Sequence, residues 1–425
     1  MKKLNIAIIG FGTVGGGLYS LLEKNAEVIA QRTGIDISVT AVCDVRSDHV
    51  KKTAPGARIV SDWKEIVKDK SVDIVAELIG GIEPAKSIIM EALKNGKGVV
   101  TANKKLLAED GRDIFKQANA GAGRIGFEAA VGGGIPCILA LRHGLVGNRM
   151  RSIMGILNGT TNFILTMMRE NNMPFPEALR DAQEKGFAEA DPTFDIEGYD
   201  AGHKIALLAM IAFNKNISYG DIRVEGISHI SKADIAYARD MGYVIKLLGI
   251  AKEIDGNIDI RVHPTMIPEG HHLASVRYEY NSIMFDGDMT DPVILTGRGA
   301  GASPTASAVL SDIVQIAQQG PAYVSPLVTD GDARLIEPGK RMSRYYLRMQ
   351  TDDRPGILSQ IAGVFGRHGI SIASVIQKEL HAEHVPLIFM THEAVEEGMM
   401  RALEEITKFN FTHGGVMLIR VEDSI

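Results

Sequence analysis

Leu4-Asn5-Ile6-Ala7-Ile8-Ile9-Gly10-Phe11-Gly12-Thr13-Val14-Gly15, near the start of the chain, joins a short apolar run to three spaced glycines. Leu4–Ile9 reads as a buried strand, and the glycines after it have the spacing G-x-G-x-x-G at the opening of a helix. Gly10 permits the tight turn, Gly12 lets backbone approach a pyrophosphate, and Gly15 allows helix and strand to pack closely. The helix N-terminus adds partial positive charge. In this context the loop predicts dinucleotide binding, with Gly10, Gly12, Thr13, Val14 and Gly15 against the cofactor.

Outward from the loop, short apolar runs alternate with helical patterns. Ile37–Cys43, Ile74–Leu78, Gly98–Thr101 and Ile125–Glu128 read as further strands. Gly15–Arg32, Trp63–Lys68, Pro84–Asn95 and Glu109–Ala120 read as helices. Such alternation implies a parallel sheet with right-handed crossovers, a doubly wound Rossmann-like α/β domain over residues 1–130. Asp44, just past the second strand, suits the adenosine ribose. Arg46 suits a 2′-phosphate, so NAD and NADP both remain open. Thr101-Ala102-Asn103-Lys104 follows a strand at the carboxyl edge of the sheet, where ligands of open α/β sheets bind, which makes Thr101 and Lys104 cofactor candidates.

From 131 to 300 the pattern becomes α+β. Pro176–Lys185, Tyr199–Phe213 and Lys232–Leu248 read as helices, and Ile258–Met266 and Arg277–Phe285 as strands. A helix follows within 301–336, with Ser303 as N-cap and Pro304 at the first helical position. Glu337-Pro338-Gly339-Lys340-Arg341 reads as a linker. Residues 345–425 then run in the order βαββαβ: Tyr345–Gln350, Gly356–His368, Ser371–Lys378, Val385–Thr391, Ala394–Lys408 and Gly415–Arg420. That order describes a ferredoxin-like fold.

Composition narrows the function. The 425 residues carry 46 Lys and Arg against 52 Asp and Glu, a net charge of −6 that is not built to neutralise a nucleic-acid backbone. Two cysteines, Cys43 and Cys137, cannot form a disulfide framework and point to a reducing compartment, hence the cytoplasm. The longest later apolar run, Ile205–Phe213, is far below the roughly twenty residues of a membrane span. Forty-five glycines, near 11% against about 7% in ordinary proteins, imply that backbone comes close to something.

The richest acidic stretch is Gly186-Phe187-Ala188-Glu189-Ala190-Asp191-Pro192-Thr193-Phe194-Asp195-Ile196-Glu197-Gly198-Tyr199-Asp200, leading into Ala201-Gly202-His203-Lys204. Asp200 and Lys204 stand i and i+4 on one helix face, so they can meet. A carboxylate there can position the lysine for proton transfer with an alcohol or carbonyl. An exposed i,i+4 pair ahead of a core helix is the plainer reading. Glu189 and Asp195 would suit a substrate ammonium. Glu128-Ala129-Ala130-Val131-Gly132-Gly133-Gly134-Ile135-Pro136 is a carboxylate followed by a glycine turn exposing carbonyls, an oxygen donor set for a hard cation. Cys137 reads as a buried structural thiol.

Together these residues closely resemble homoserine dehydrogenase, along essentially the whole chain. The carriers are Gly10–Gly15, Thr101–Lys104, Glu128–Pro136, Asn158-Gly159-Thr160-Thr161-Asn162-Phe163-Ile164, Gly186–Lys204 and Gly299-Ala300-Gly301-Ala302-Ser303-Pro304-Thr305-Ala306-Ser307. The resemblance implies reversible NAD- or NADP-dependent interconversion of L-homoserine and L-aspartate 4-semialdehyde, on the route to threonine and methionine. It implies Lys204 as proton donor and acceptor, Glu189 and Asp200 as substrate ligands with Asp195 in support, and Lys104 reaching cofactor and reacting centre. Gly186 and Gly301 match glycines beside the nicotinamide, and Glu128 with the carbonyls of Val131, Gly133 and Ile135 a sodium site. In these terms 131–300 is the catalytic and dimerisation domain, and 301–336 returns to the dinucleotide-binding domain. The family is typically dimeric. The tail resembles an ACT domain through Asp352-Asp353-Arg354-Pro355-Gly356-Ile357-Leu358 and Gly369-Ile370-Ser371-Ile372. This implies feedback by an amino acid, threonine first, and pairing that gives a homodimer or homotetramer.

Two rival readings differ in their chemistry. Aspartate-semialdehyde dehydrogenase needs a cysteine nucleophile, for which Cys137 is the one candidate. A non-enzymatic redox sensor would need neither Lys204 nor Asp200.

Overall fold

The computed structural model describes every residue except 122, 326, 328–330, 378–383 and 424–425. The chain divides into two compact units, each drawn from three segments. The first comprises Met1–Gly159, Tyr199–Ile222 and Glu279–Ala333, and the second Thr160–Gly198, Arg223–Tyr278 and Arg334–Ile425. Residue 131 falls inside the first unit, as does most of 301–336.

The first unit holds a six-stranded sheet, all of whose pairings are parallel. Its strands are Lys2–Ile9, Ile35–Cys43, Arg58–Val60, Ile74–Glu77, Gly98–Thr101 and Arg124–Gly126, and their spatial order is 3-2-1-4-5-6. This is the doubly wound dinucleotide-binding topology, whose crevice opens at the carboxyl end of the first strand. Ile6, Ile8, Ala76 and Val100 form its buried core with Leu18 of the helix Thr13–Thr33. Val309, Ile313 and Ile316 of the helix Ala302–Gln319 join the same core. A separate antiparallel run, in which Tyr280–Gly287 lies between Met150–Ile156 and Asp291–Arg298, completes the strands of this unit.

In the second unit Tyr243–Ile254 pairs antiparallel with Asn257–Pro268. The C-terminal part has strands Met342–Asp352, Ile372–Gln377, His384–Thr391 and Thr412–Val421 in the order 4-1-3-2. Helices Ile357–Arg367 and Glu396–Ile406 pack through Ile361, Phe365, Met399 and Ile406 against Tyr345, Leu347 and Phe389. This is the expected ferredoxin-like unit, an ACT domain in fold. Lys378 of the expected second strand lies outside the described residues. No helix among the described residues is long and apolar enough to cross a membrane.

Several boundaries differ from the sequence reading. Lys232–Leu248 is not one helix: it stops at Asp240, and after Gly242 (φ +80°) the chain enters the strand Tyr243–Ile254. That strand is buried through eight consecutive residues, so neither period distinguishes it from a buried helix. Glu109–Ala120 breaks at Gly111 into Lys104–Asp110 and Arg112–Ala120. The strand expected over Ile125–Glu128 ends at Gly126, and Glu128 opens a 3₁₀ turn. Gly301, not Ser303, caps the helix Ala302–Gln319. The expected linker is anchored, because Arg341 is buried, pairs with Asp259 at 2.7 Å and donates to the Ile260 carbonyl at 3.0 Å.

Candidate active site

The glycine loop has the backbone its spacing predicts. Gly10 has φ +97°, and a Cβ there would stand 2.6 Å from the Leu78 carbonyl. A Cβ on Gly15 would stand 2.1 Å from the Gly10 oxygen, so turn and helix fit only without side chains. At Gly12 the nearest atom is the Arg46 guanidinium, 3.8 Å from where a Cβ would sit. Asp44 accepts the Phe11 N–H at 2.6 Å and the Arg46 N–H at 2.8 Å, while Arg46 Nε lies 3.1 Å from its Oδ1. Burial opposes ionisation of Asp44, but the hydrogen bonds from Arg46 and Phe11 outweigh it and hold the carboxyl below its ordinary value. The Arg46 side chain remains 56% exposed. Thr101 turns its hydroxyl inward to the buried Glu77 at 2.6 Å.

Lys104 opens the helix Lys104–Asp110, which Asn103 caps by accepting the Leu106 N–H. Its Nζ lies 3.0 Å from Asp200 Oδ1. The helix Tyr199–Phe213 carries Asp200 and Lys204 one turn apart, and Lys204 Nζ donates to Asp200 Oδ2 at 2.6 Å. The plainer reading of this pair fails on burial, since Asp200 is 4% and Lys204 6% exposed. Lys204 also donates to the Leu157 carbonyl at 2.7 Å, and Asn158 donates to Asp200 Oδ2 at 2.9 Å. One buried carboxylate is thus held between two lysines. Burial pushes the Asp200 carboxyl up, yet Lys204 and Lys104 prevail and hold it well below the usual carboxylate range.

The residues around this cluster include several that sequence reasoning missed. Asn281 donates to the same Leu157 carbonyl at 2.9 Å. His203, buried, stacks on Tyr219 at 4.0 Å and meets Glu109 at 2.7 Å, and burial lowers its pKa. Asn158 had a signal, as the first residue of the Asn158–Ile164 run. Asn281 and Tyr219 had none, because only the fold brings them near.

Glu128 is buried and accepts the N–H groups of Ile138 at 2.9 Å and Leu139 at 2.7 Å. Burial pushes its carboxyl up to about 7. Asp312, also buried, accepts the Glu128 N–H at 2.7 Å and is pushed well up by burial and then by the Glu128 charge. Neither carboxylate has an ion pair among the described residues. With the carbonyls of Val131, Gly133 and Ile135 in the adjoining turn, these carboxylates are oxygen donors of the type hard cations take. Cys137 is fully buried, donates to the Val131 carbonyl at 3.3 Å, and burial drives its thiol pKa well up. It is unsuited to act as a nucleophile.

The remaining predicted residues are placed as follows. Gly301 (φ +118°) belongs to the first unit. Gly186, Glu189 and Asp195 belong to the second. Gly186 has φ +75°, and Glu189 is exposed. Asp195 Oδ2 and the Phe187 carbonyl lie 3.0 and 2.6 Å from the Thr160 hydroxyl.

Comparison with known proteins agrees with this architecture. Residues 10–128 match the family model of the homoserine dehydrogenase NAD-binding domain, 136–314 that of homoserine dehydrogenase, and 345–408 that of the ACT domain. The homoserine dehydrogenase of Neisseria gonorrhoeae is 44% identical over 99% of both chains. The crystal structure of a homoserine dehydrogenase from Thiobacillus denitrificans, 41% identical, superposes with a TM-score of 0.94 over 100% of this chain and 99% of that one. A hyperthermophilic archaeal homoserine dehydrogenase in complex with NADPH, 26% identical, matches 75% of this chain and 98% of its own with a TM-score of 0.62. The glycine loop at the head of a 3-2-1-4-5-6 sheet, the buried lysine–carboxylate cluster and these matches place the chain in the homoserine dehydrogenase family of NAD(P)-dependent oxidoreductases, with a C-terminal ACT domain.

Proposed function

We propose that the protein interconverts L-homoserine and L-aspartate 4-semialdehyde, with Lys204 moving the proton. The observation that carries this is the pairing of buried Lys204 and Asp200, with half-buried Lys104 on the other carboxylate oxygen. An ammonium has three N–H groups, and Lys204 uses two on Asp200 and the Leu157 carbonyl. The third is assigned to the substrate oxygen. NAD(P)H, when bound, supplies the hydride to the aldehyde carbon. Lys204 protonates the developing alkoxide, and in reverse the neutral amine takes the hydroxyl proton, so oxidation favours higher pH. Asp200 fixes the lysine, and the family resemblance gives Asp200 and Glu189 as the substrate ligands, with Asp195 in support. Lys104 balances the Asp200 charge, and the family resemblance assigns Lys104 to the cofactor and reacting centre and Gly186 and Gly301 to the nicotinamide. Homoserine-dependent reduction of NAD(P)⁺ by the purified protein tests the reading.

NADP is the cofactor we favour. Asp44 commits both oxygens to Phe11 and Arg46, and the guanidinium it orients, which also donates to the Phe11 carbonyl at 3.0 Å, stays largely exposed beside Gly12. Arg46→Ala is expected to raise KM for NADPH by about tenfold, one charge-assisted contact, and leave KM for NADH nearly unchanged. Steady-state rates with each cofactor check this.

Glu128 and the carbonyls of Val131, Gly133 and Ile135 would hold Na⁺, which supplies positive charge to a buried, acid-rich turn. With its pKa raised to about 7, Glu128 disfavours the folded state as pH rises through 7, because the ionised form is the one burial penalises. A bound cation reverses that. Sodium is therefore expected to raise Tm relative to N-methyl-glucamine chloride of equal ionic strength, and to do so more at pH 8 than at pH 6. Equal curves at both pH values would contradict the assignment.

The ACT domain is proposed to bind threonine and restrain turnover as the product of the pathway accumulates, in a homodimer or homotetramer. Titration calorimetry with threonine, beside the initial rate, is expected to show heat and inhibition over the same concentration range. Neither signal would leave the domain a pairing module.

A further inference from the structure

The central strand of the C-terminal sheet, Met342–Asp352, ends between two histidines that lie far from it in sequence. Asp352 is opposite His384 in the antiparallel ladder with His384–Thr391. On its other side the ladder with Thr412–Val421 is regular down to Arg348 opposite Met417 and then resumes at Gln350 opposite His413. Two steps on one strand thus answer four on the other, and Gly414 within the bulge has φ +70°. Bulges of this kind re-aim side chains, and this one delivers His413 to Asp352. His413 Nε2 lies 2.6 Å from Asp352 Oδ1, and His384 Nδ1 lies 3.5 Å from the same oxygen.

We propose that Asp352, His384 and His413 form a metal site that takes zinc or another borderline divalent cation through one carboxylate oxygen and two imidazole nitrogens. Three observations carry it. The donor atoms all lie within 4.8 Å of one another. His384 Nδ1 is buried and makes no hydrogen bond among the described residues, yet it faces the cluster. Arg354 donates to Asp352 Oδ2 at 2.6 Å, which leaves Oδ1 toward the two rings, the outer contact that orients metal-binding carboxylates. The rings stack with centroids 3.7 Å apart. Two imidazolium ions would repel at that separation, whereas two neutral rings sharing one cation would not. Nitrogen donors in this majority select zinc-like ions over magnesium or calcium, which require oxygen. Three protein ligands leave a fourth position for water or for a small-molecule carboxylate.

The test uses the full chain, freed of metal by chelation and desalted into sodium chloride. Zinc chloride is titrated calorimetrically into wild type, Asp352→Asn and the double variant His384→Gln/His413→Gln. Wild type is expected to bind one equivalent, and both variants to bind it at least about tenfold more weakly, in keeping with the loss of a ligand or its support. Metal-free melting temperatures establish that the variants are folded. Asp352→Asn, which keeps the shape of the side chain, serves if the double variant does not fold. No zinc uptake by wild type, or equal uptake by wild type and a folded variant, would overturn the site.

Discussion

Lys204→Ala is expected to lower kcat for homoserine oxidation by about 10²–10⁴-fold, the range contributed by a positioned proton-transfer group. The dissociation constant for NADPH should stay essentially unchanged. The split follows from where Lys204 sits. Lys204 is 6% exposed and its Nζ is held by Asp200 and the Leu157 carbonyl, whereas the glycine loop is built from the Lys2–Ile9 strand and the Thr13–Thr33 helix. Lys204→Arg should be nearly as inactive, because a guanidinium keeps its charge and cannot accept a proton from the alcohol. Stopped-flow reduction of NADP⁺ and fluorescence titration of NADPH read the two quantities separately. A loss of cofactor binding equal to the loss of turnover would assign Lys204 a structural role instead.

Asp200→Asn has the second large effect, and it falls on stability. The substitution keeps the shape of the side chain but leaves Lys204, buried, and Lys104 without the charge they share. Breaking a buried pair from one side costs about 3–5 kcal/mol, so Tm should drop by several degrees. The sign of the stability effect can be checked independently. A carboxyl held below its ordinary value stabilises the fold above its unfolded pKa, about 3.9 for aspartate, and loses that contribution as pH falls through the folded value. The difference between wild type and variant should therefore be full near neutral pH and narrow only in strong acid. Paired thermal melts across that range measure it.

Much of the fold was legible because local chemistry and global topology agree. Gly10, Gly12 and Gly15 stand at the end of the first strand, and βα alternation requires the sheet that forms. The βαββαβ order of the tail was equally direct. Legibility failed where burial is two-sided. Tyr243–Ile254 has no polar face, so its apolar run merged with the preceding helix. Met150–Ile156 and the helix Gly159–Glu170 passed unread for a related reason, since most of their residues are buried, the polar Thr160, Thr161 and Asn162 among them, so that polarity there does not mark the exposed face. At the site, the i,i+4 spacing of Asp200 and Lys204 announced a contact but not its burial, which is what separates it from a surface pair. Lys104 and Asn158 reach Asp200 from different elements, 96 and 42 residues away in sequence. No local pattern encodes those meetings.

The most direct test of the central claim is the formation of NADPH by the purified protein with L-homoserine as the only alcohol, at mildly alkaline pH. Steady reduction of NADP⁺ is expected that depends on homoserine, needs no inorganic phosphate, survives a thiol reagent and disappears in Lys204→Ala. No homoserine-dependent reduction, or undiminished reduction by folded Lys204→Ala, would contradict it.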